Sequence, residues 1–241
     1  MINIDTVYQK VLALANKEQR GYITPQEFNL MADKAQKEIY DSYFHDIKTA
    51  YHKAKNEMGV AFDEIEITQE KLHPFKVSTT VTQAAADATA SLPNNLYLID
   101  VILRGTAEVT ELTKKEIAYT QNNPLTAATV ARPVYVRESA SFTNSVDNAI
   151  VTFYPTPTVE TVYTIHYYKI PTTPTWGYVV VNKKALYNNN TTYTTHFELH
   201  ESEEEILVSR ILQLAGVVVM KPGLVEVGMT EKASIKQEQN N

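Results

Sequence analysis

The 241-residue sequence contains no cysteine, only 7 glycines and no long apolar run. The absence of cysteine excludes disulfide bonds and every site built on a thiolate, whether structural or catalytic. Few glycines leave few positions for loops that bind phosphate groups. No apolar segment reaches the roughly 20 residues that a membrane helix needs, so we expect no membrane partner. The amino terminus shows neither the basic nor the apolar region of a secretory signal, so no export is expected.

Positive charge is also scarce, because 22 Lys and Arg stand against 28 Asp and Glu, for a net charge of −6. The basic doublets are Lys114-Lys115 and Lys183-Lys184, and neither is surrounded by aromatic residues. A protein whose main task is to hold nucleic acid presents a clustered basic surface. This chain is therefore not expected to bind DNA specifically, although a weakly repulsive surface would suit a channel through which DNA slides.

Composition divides the chain into helical ends and a β-rich middle. Between Thr68 and Thr195 lie 24 of the 28 Thr, 10 of the 15 Tyr and 8 of the 10 Pro. Thr and Tyr favour strands, whereas the Ala, Lys, Glu, Gln and Leu of both ends favour helices. The sequence thus predicts an α+β fold with an N-terminal helical hairpin (1–60), an antiparallel β-rich domain (61–197) and a C-terminal buried helix with a polar tail (198–241). The helical parts are expected to pack together as one unit.

Two N-terminal helices are indicated by apolar residues at helical spacing. The first covers Ile4–Ala15, with Asn3 or Asp5 as its N-cap. The second begins at the capping box Thr24-Pro25-Gln26-Glu27 and meets no Pro or Gly before Gly59, which predicts a length of about 50 Å. A helix of this length is expected to lie along helices of other subunits. Its apolar stripe consists of Phe28, Met31, Ala35, Ile39, Tyr43, Ile47, Ala50, Ala54 and Met58.

The C-terminal helix is predicted to begin at a second capping box, Ser202–Glu205, with three carboxylates at the positive end of its dipole. It is apolar on nearly every face, which is typical of a helix buried on several sides. One stripe of this helix contains Leu207, Ile211, Leu214, Ala215 and Val218.

The β-rich middle is predicted to contain short strands, a helical turn at Thr68–His73 and a short helix at Lys114–Asn122. Connections as short as these favour antiparallel pairing. The predicted strands are Phe75–Val81, Leu96–Leu103, Val134–Arg137, Ala149–Tyr154, Val162–Tyr168 and Trp176–Val181.

Two segments imitate metal sites. Residues 16–27 match an EF-hand loop at Gly21 and Glu27, but Arg20 occupies a ligand position, and a guanidinium there opposes a divalent cation. His196 and His200 are four residues apart, but the intervening Glu198 is not in the position that zinc proteases require. We therefore predict no metal site, no cofactor site and no catalytic residue. Two alternatives stay open: a glycosidase with two distant carboxylates, and a carbohydrate-binding β-rich module with exposed Tyr residues.

Several segments resemble the head-to-tail connector, or adaptor, proteins of tailed bacteriophages, with the ring proteins of short-tailed and crAss-like phages as the nearest group. The N-terminal part of the resemblance is carried by 21–32, Ala35-Gln36 and Glu38–Tyr40. The remaining segments are 92–102, Pro133–Tyr135, 150–157, 163–171, Trp176–Tyr178, 197–205 and 211–217.

The resemblance implies a structural virion protein without enzymatic activity, forming a homo-oligomeric ring, usually a dodecamer. Such a ring docks on the portal and on adjacent neck or tail proteins, and genomic DNA passes through it without specific binding. The implied location is the neck or tail of the phage particle, assembled in the bacterial cytoplasm. Another virion role, fibre- or capsid-attached, is an alternative. From the two helical stripes we expect an oligomer interface at Phe28, Met31, Ile39, Tyr43, Ile47, Leu207, Ile211 and Leu214.

Overall fold

The computed structural model describes residues 1–17, 23–56, 60–87, 89–138, 141–143, 146–148 and 150–218. The chain forms two compact units. The terminal unit combines Met1–Pro74 with Pro171–Asn241, and the central unit is Phe75–Ile170. The expected α+β fold, with a helical N-terminus and a β-rich middle, is confirmed. The unit boundaries differ from those expected, because the segment from Pro171 onwards joins the helices rather than the β-rich part.

The described part of the chain contains the following helices and strands. The helices are α1 (Ile4–Lys17), α2 (Pro25–Asn56), α3 (Val60–Leu72), α4 (Lys114–Gln121) and α5 (Glu204–Val218). The strands are β1 (Lys76–Gln83), β2 (Thr89–Ser91), β3 (Leu96–Arg104), β4 (Ala107–Glu108), β5 (Thr110–Glu111), β6 (Val134–Arg137), β7 (Ser141–Thr143), β8 (Val146–Asn148), β9 (Ile150–Tyr154), β10 (Thr161–Lys169), β11 (Tyr178–Val181) and β12 (Lys184–Tyr187).

Helix α2 is the longest element of the terminal unit, at 32 residues or about 48 Å. Its start is the predicted capping box: the Glu27 carboxylate accepts hydrogen bonds from the Thr24 amide (2.9 Å) and hydroxyl (2.7 Å), and the Glu27 amide donates to the Thr24 hydroxyl (3.3 Å). The helix packs against α3 and α5 of the same chain. The expectation that this stripe packs on helices of other subunits is corrected for Phe28, Met31, Ala35, Ile39, Tyr43 and Ala50, because these residues are buried within their own chain.

Helix α3 is longer than the turn predicted at Thr68–His73. Ile65 and Leu72, two turns apart, are both buried, and this spacing places them on one face toward α2. The acidic side chains of Asp63 and Glu66 on this helix are exposed. The sequence contains no Pro or Gly between 60 and 73, so nothing stops the helix earlier.

The C-terminal helix begins later than predicted. Residues Glu201–Glu203 form a 3₁₀ turn, and α5 starts at Glu204. The cap of the turn is His200, whose Nδ1 accepts a hydrogen bond from the Ser202 amide at 3.3 Å. The prediction of Ser202 as the helix cap is therefore wrong, since an imidazole nitrogen serves the same purpose two residues earlier. Helix α5 is buried on several faces, as expected.

The central unit contains two four-stranded sheets, in the orders β1-β10-β3-β4 and β2-β9-β6-β5. Phe153 on β9 stacks on Tyr163 on β10, with ring centroids 3.9 Å apart, so the two sheets share one core. Their pairs are antiparallel except β5 with β6, which is parallel and departs from the expected pattern. Buried core residues are Ala90, Leu92, Ile102, Val109, Tyr135, Val151, Phe153, Tyr163, Ile165 and Tyr167.

Each predicted strand corresponds to an observed one, with shifts of a few residues at the ends. The very short strands β2, β4, β5, β7 and β8 were not predicted, nor was β12, which pairs with β11 to form a hairpin in the terminal unit. No helix among the described residues is long and apolar enough to cross a membrane. The expected polar tail and the turn at Gly21 lie outside the described residues.

Candidate functional site

The interface predicted from the helical stripes coincides with the core of the terminal unit. Ile47 and Leu214 retain partial exposure, but the other six predicted residues are buried within this chain. The buried six are Phe28, Met31, Ile39, Tyr43, Leu207 and Ile211. For these six residues the assignment is corrected, because side chains covered by their own chain offer no surface to a second copy. The spacing correctly identified an apolar face and misidentified what covers it.

The two histidines that imitate a metal site have separate structural tasks. The Nδ1 atom of His196 accepts a hydrogen bond from the Ile4 amide at 3.3 Å, while His200 caps the turn before α5. The intervening Glu198 carboxylate binds the amide and hydroxyl of Thr172, both at 3.0 Å. No group of three or more His, Asp or Glu residues in the described part of the chain is placed to hold a metal ion. Residues 18–22 of the EF-hand-like segment lie outside the described residues.

A buried polar cluster joins three elements of the terminal unit. Lys71, near the end of α3, forms an ion pair of 2.8 Å with Glu203, in the turn before α5. The Glu203 side chain is 2% exposed and that of Lys71 is 17% exposed, so both charges are largely removed from water. Burial, and then the negative charge of Glu203, raise the pKa of the Tyr43 hydroxyl on α2, which keeps that group protonated. From sequence alone Glu203 is explained by the helix dipole, and its pairing with Lys71 is not foreseen.

The segment after Pro171 is held to the helices by buried hydrogen bonds. The buried Gln36 side chain on α2 donates to the Thr172 carbonyl (2.8 Å) and accepts from the Glu198 amide (3.1 Å). The Trp176 indole N–H donates to Asp5 Oδ1 at 2.9 Å. Asp5 therefore serves as an anchor for this segment, while Asn3 Oδ1 receives the Asp5 amide at the start of α1.

Trp176 is also the support of the hairpin that follows it. Its buried ring contacts the rings of Tyr178 on β11 and Tyr187 on β12, with both centroid distances at 5.8 Å. The Thr194 hydroxyl accepts from the Gly177 amide (3.1 Å) and donates to the Asn188 carbonyl (2.5 Å). A Cβ atom at Gly177 would lie 2.5 Å from that hydroxyl oxygen, so only glycine fits here without a shift. The base of the hairpin is thus fixed.

Beyond this base the hairpin exposes apolar residues. Val179, Val180, Val181 and Leu186 are all exposed, next to the exposed Lys183 and Lys184. The strand prediction for Trp176–Val181 was correct, but its exposure was not foreseen. The exposure could have been inferred from the three consecutive valines directly before Asn182-Lys183-Lys184, because polar and charged residues adjoining a strand favour a solvent-exposed position.

The Tyr residues of the β-rich part are divided between the core and the surface. Tyr135, Tyr163 and Tyr167 are buried between the sheets of the central unit. Burial and the hydrogen bond to Glu111 raise the pKa of Tyr135 to about 12, against a smaller opposing effect of Arg137. Tyr97, Tyr119 and Tyr193 are exposed, and they belong to different elements. The alternative of an aromatic platform for sugars stays a prediction.

Comparison with known proteins gives no match to this chain from a protein-family model or from a curated protein. The proposal for its function consequently rests on the residues and on their arrangement.

Proposed function

We propose that this chain is a structural virion protein, a subunit of the ring that connects the portal to the tail of a bacteriophage. The proposal starts from the resemblance between segments of this sequence and phage connector proteins. In this role the subunit extends the DNA channel and offers docking surfaces to the portal and to the next ring. Its work is positional, and it carries out no reaction.

The observation that carries the proposal is the association of distant segments that share this resemblance. Residues 25–40 of the N-terminal segment lie on α2, and most of α5 lies within the C-terminal segment 197–217. These helices pack together, with an ion pair between the Glu38 carboxylate and the Arg210 guanidinium. In the sequence, the central unit (Phe75–Ile170) lies between these two helices. The resembling segments at the two ends of the chain thus form one helical body, which would serve as the framework of a ring subunit.

Two further observations support a positional role. The buried polar side chains Gln36 and Glu203 are used to hold elements of the fold together. The net charge of −6 suits a channel wall that does not retain DNA.

The test is the protein composition of purified phage particles from the virus that encodes this chain. We expect the chain to be present in many copies per particle, and cryo-electron microscopy to show it between the portal and the tail. Particles made without it should contain filled heads that lack tails. Absence of the chain from purified particles, or its location in fibres or on the capsid surface, would overturn the proposal.

A further inference from the structure

The hairpin β11–β12 has two different faces. Tyr178 pairs with Tyr187, and these residues rest on Trp176. Because neighbouring residues of a strand point to opposite faces, Val179 and Val181 lie on the other face, together with their partners Leu186 and Lys184. On that face Val179 is 50%, Val181 47% and Leu186 52% exposed. We name these four residues the valine face.

The exposed valine face is unusual for a hairpin of this kind. Among the described residues, β11 and β12 pair only with each other. An isolated two-stranded hairpin is marginally stable, and an apolar strand with a free edge is prone to associate with other chains. The contacts around Trp176 and Gly177 fix only the base of the hairpin. Beyond that base, the valine face exposes apolar surface that no other described strand covers.

Charge indicates what kind of partner this surface fits. Lys183 and Lys184 are exposed at the turn of the hairpin, and no ion pair joins either of them to another described residue. An apolar patch bordered by two lysines is complementary to an apolar patch bordered by carboxylates. Two hairpins joined through their valine faces would instead bury lysines without carboxylate partners, which is costly.

The same chain carries a complementary surface on α3. Asp63, Glu66, Ile67 and Glu70 follow each other at i, i+3, i+4 and i+7, so they share one face of the helix. All four are exposed, with Ile67 at 56%, and no described residue forms an ion pair with the three carboxylates. We name these four residues the acidic face. It presents one large apolar side chain among three negative charges.

We propose that the valine face of one copy docks on the acidic face of a second copy, with Lys183 and Lys184 against the carboxylates of Asp63, Glu66 and Glu70. Both faces are exposed in a single chain, so they do not cover each other there. The proposed contact therefore joins two copies. Because two different surfaces meet, the contact is head-to-tail and repeats around a ring or along a filament. The inference rests on the self-assembly required by the proposed function, and it specifies which surfaces make it.

A charge exchange tests the pairing. The variant K183E/K184E and the variant E66K/E70K should each associate at least about tenfold more weakly than the wild type in sedimentation velocity, because like charges then meet. The combination of all four changes should restore association, because opposite charges meet again. The control K183R/K184R should associate like the wild type. Unchanged association in both charge-reversed variants, or no restoration in the combined one, would overturn the pairing.

Engineered disulfides test the geometry, and the absence of natural cysteine gives a clean background. The double variant I67C/V181C should form a ladder of cross-linked multimers under mild oxidation, whereas I67C/V180C, with its cysteine on the opposite hairpin face, should not. Cross-linking of V181C to itself in the single variant would show hairpin-to-hairpin pairing and overturn the proposal. Failure of the ladder in a wild-type-like assembly would do the same. Either result would leave the virion role intact, because that role is judged by particle composition.

Discussion

The two β structures of this chain place similar residues in opposite environments. In the central unit, Tyr163, Ile165 and Tyr167 alternate along β10 and are buried, because the second sheet covers their face. In the terminal unit, Val179 and Val181 also alternate along a strand, but they are about half exposed, and the described chain places no further strand beside their hairpin. Apolar strand residues therefore stabilise the core of the central unit, whereas those of the hairpin in the terminal unit are exposed and can associate with another chain. Mutations should therefore separate stability from assembly.

The largest effect on stability is expected in the core that the two sheets of the central unit share. Phe153→Ala removes a fully buried ring that stacks on Tyr163, and should lower the free energy of unfolding by about 4 kcal/mol. Calorimetry or the near-ultraviolet circular dichroism of the tyrosines would measure this loss. Phe153→Leu, as the control that keeps most of the volume, should lose far less. A loss below about 1 kcal/mol for Phe153→Ala would contradict the shared core of the two sheets.

The buried ion pair should give the next largest effect. Lys71→Met leaves Glu203 as an uncompensated buried charge and should cost about 3 kcal/mol. Trp176 is the single tryptophan and lies in the terminal unit, so its fluorescence reports the unfolding of that unit. The double variant K71M/E203M should recover most of the loss, since no charge then stays buried. If K71M alone were as stable as the wild type, the pair would not be the link between α3 and the turn before α5.

A smaller, pH-dependent effect is expected at the start of α2. Thr24→Ala removes the cap and should cost about 1 kcal/mol near neutral pH, whereas Thr24→Ser should cost less. The hydrogen bonds from Thr24 lower the pKa of Glu27. A group with a lowered pKa in the folded state stabilises the fold above its unfolded pKa, and this contribution is lost as the pH falls through the folded pKa. The difference between wild type and Thr24→Ala should therefore shrink as the pH falls below about 4.3, and a constant difference would contradict the capping box.

The sequence predicted local features well where neighbouring residues determine them. The box Thr24–Glu27 was found because its donors and acceptors lie three residues apart. The strand Val134–Arg137 was predicted with its observed bounds, because its β-favouring composition is local. The order of helical and β-rich segments followed from composition for the same reason.

The sequence could not predict contacts between distant segments. The stripe with Phe28 and Tyr43 was correctly identified as apolar, but periodicity does not say whether a chain covers its own stripe. Glu203 was assigned to a helix terminus, because Lys71 is far away in the sequence and only the fold brings them together. The exposed valine face was missed because β-branched residues favour strands whether they are buried or not.

Substitutions on the valine face of the hairpin are expected to change stability far less than substitutions in the core of the central unit. Replacing Val179 and Val181 together by Thr keeps the β-branched shape and removes apolar surface that is already half exposed. The free energy of unfolding of the isolated chain should change by less than about 0.5 kcal/mol, as for most surface substitutions, as measured by Trp176 fluorescence. A loss as large as that of Phe153→Ala would mean that the valine face is part of the fold.

Sedimentation velocity of this V179T/V181T variant beside the wild type, at the same concentrations, tests the central claim that the valine face serves assembly. The account predicts that the wild type sediments as multimers that grow with concentration, while the folded variant remains a monomer of about 27 kDa. Identical sedimentation of the two proteins, whether both assemble or both stay monomeric, would contradict it.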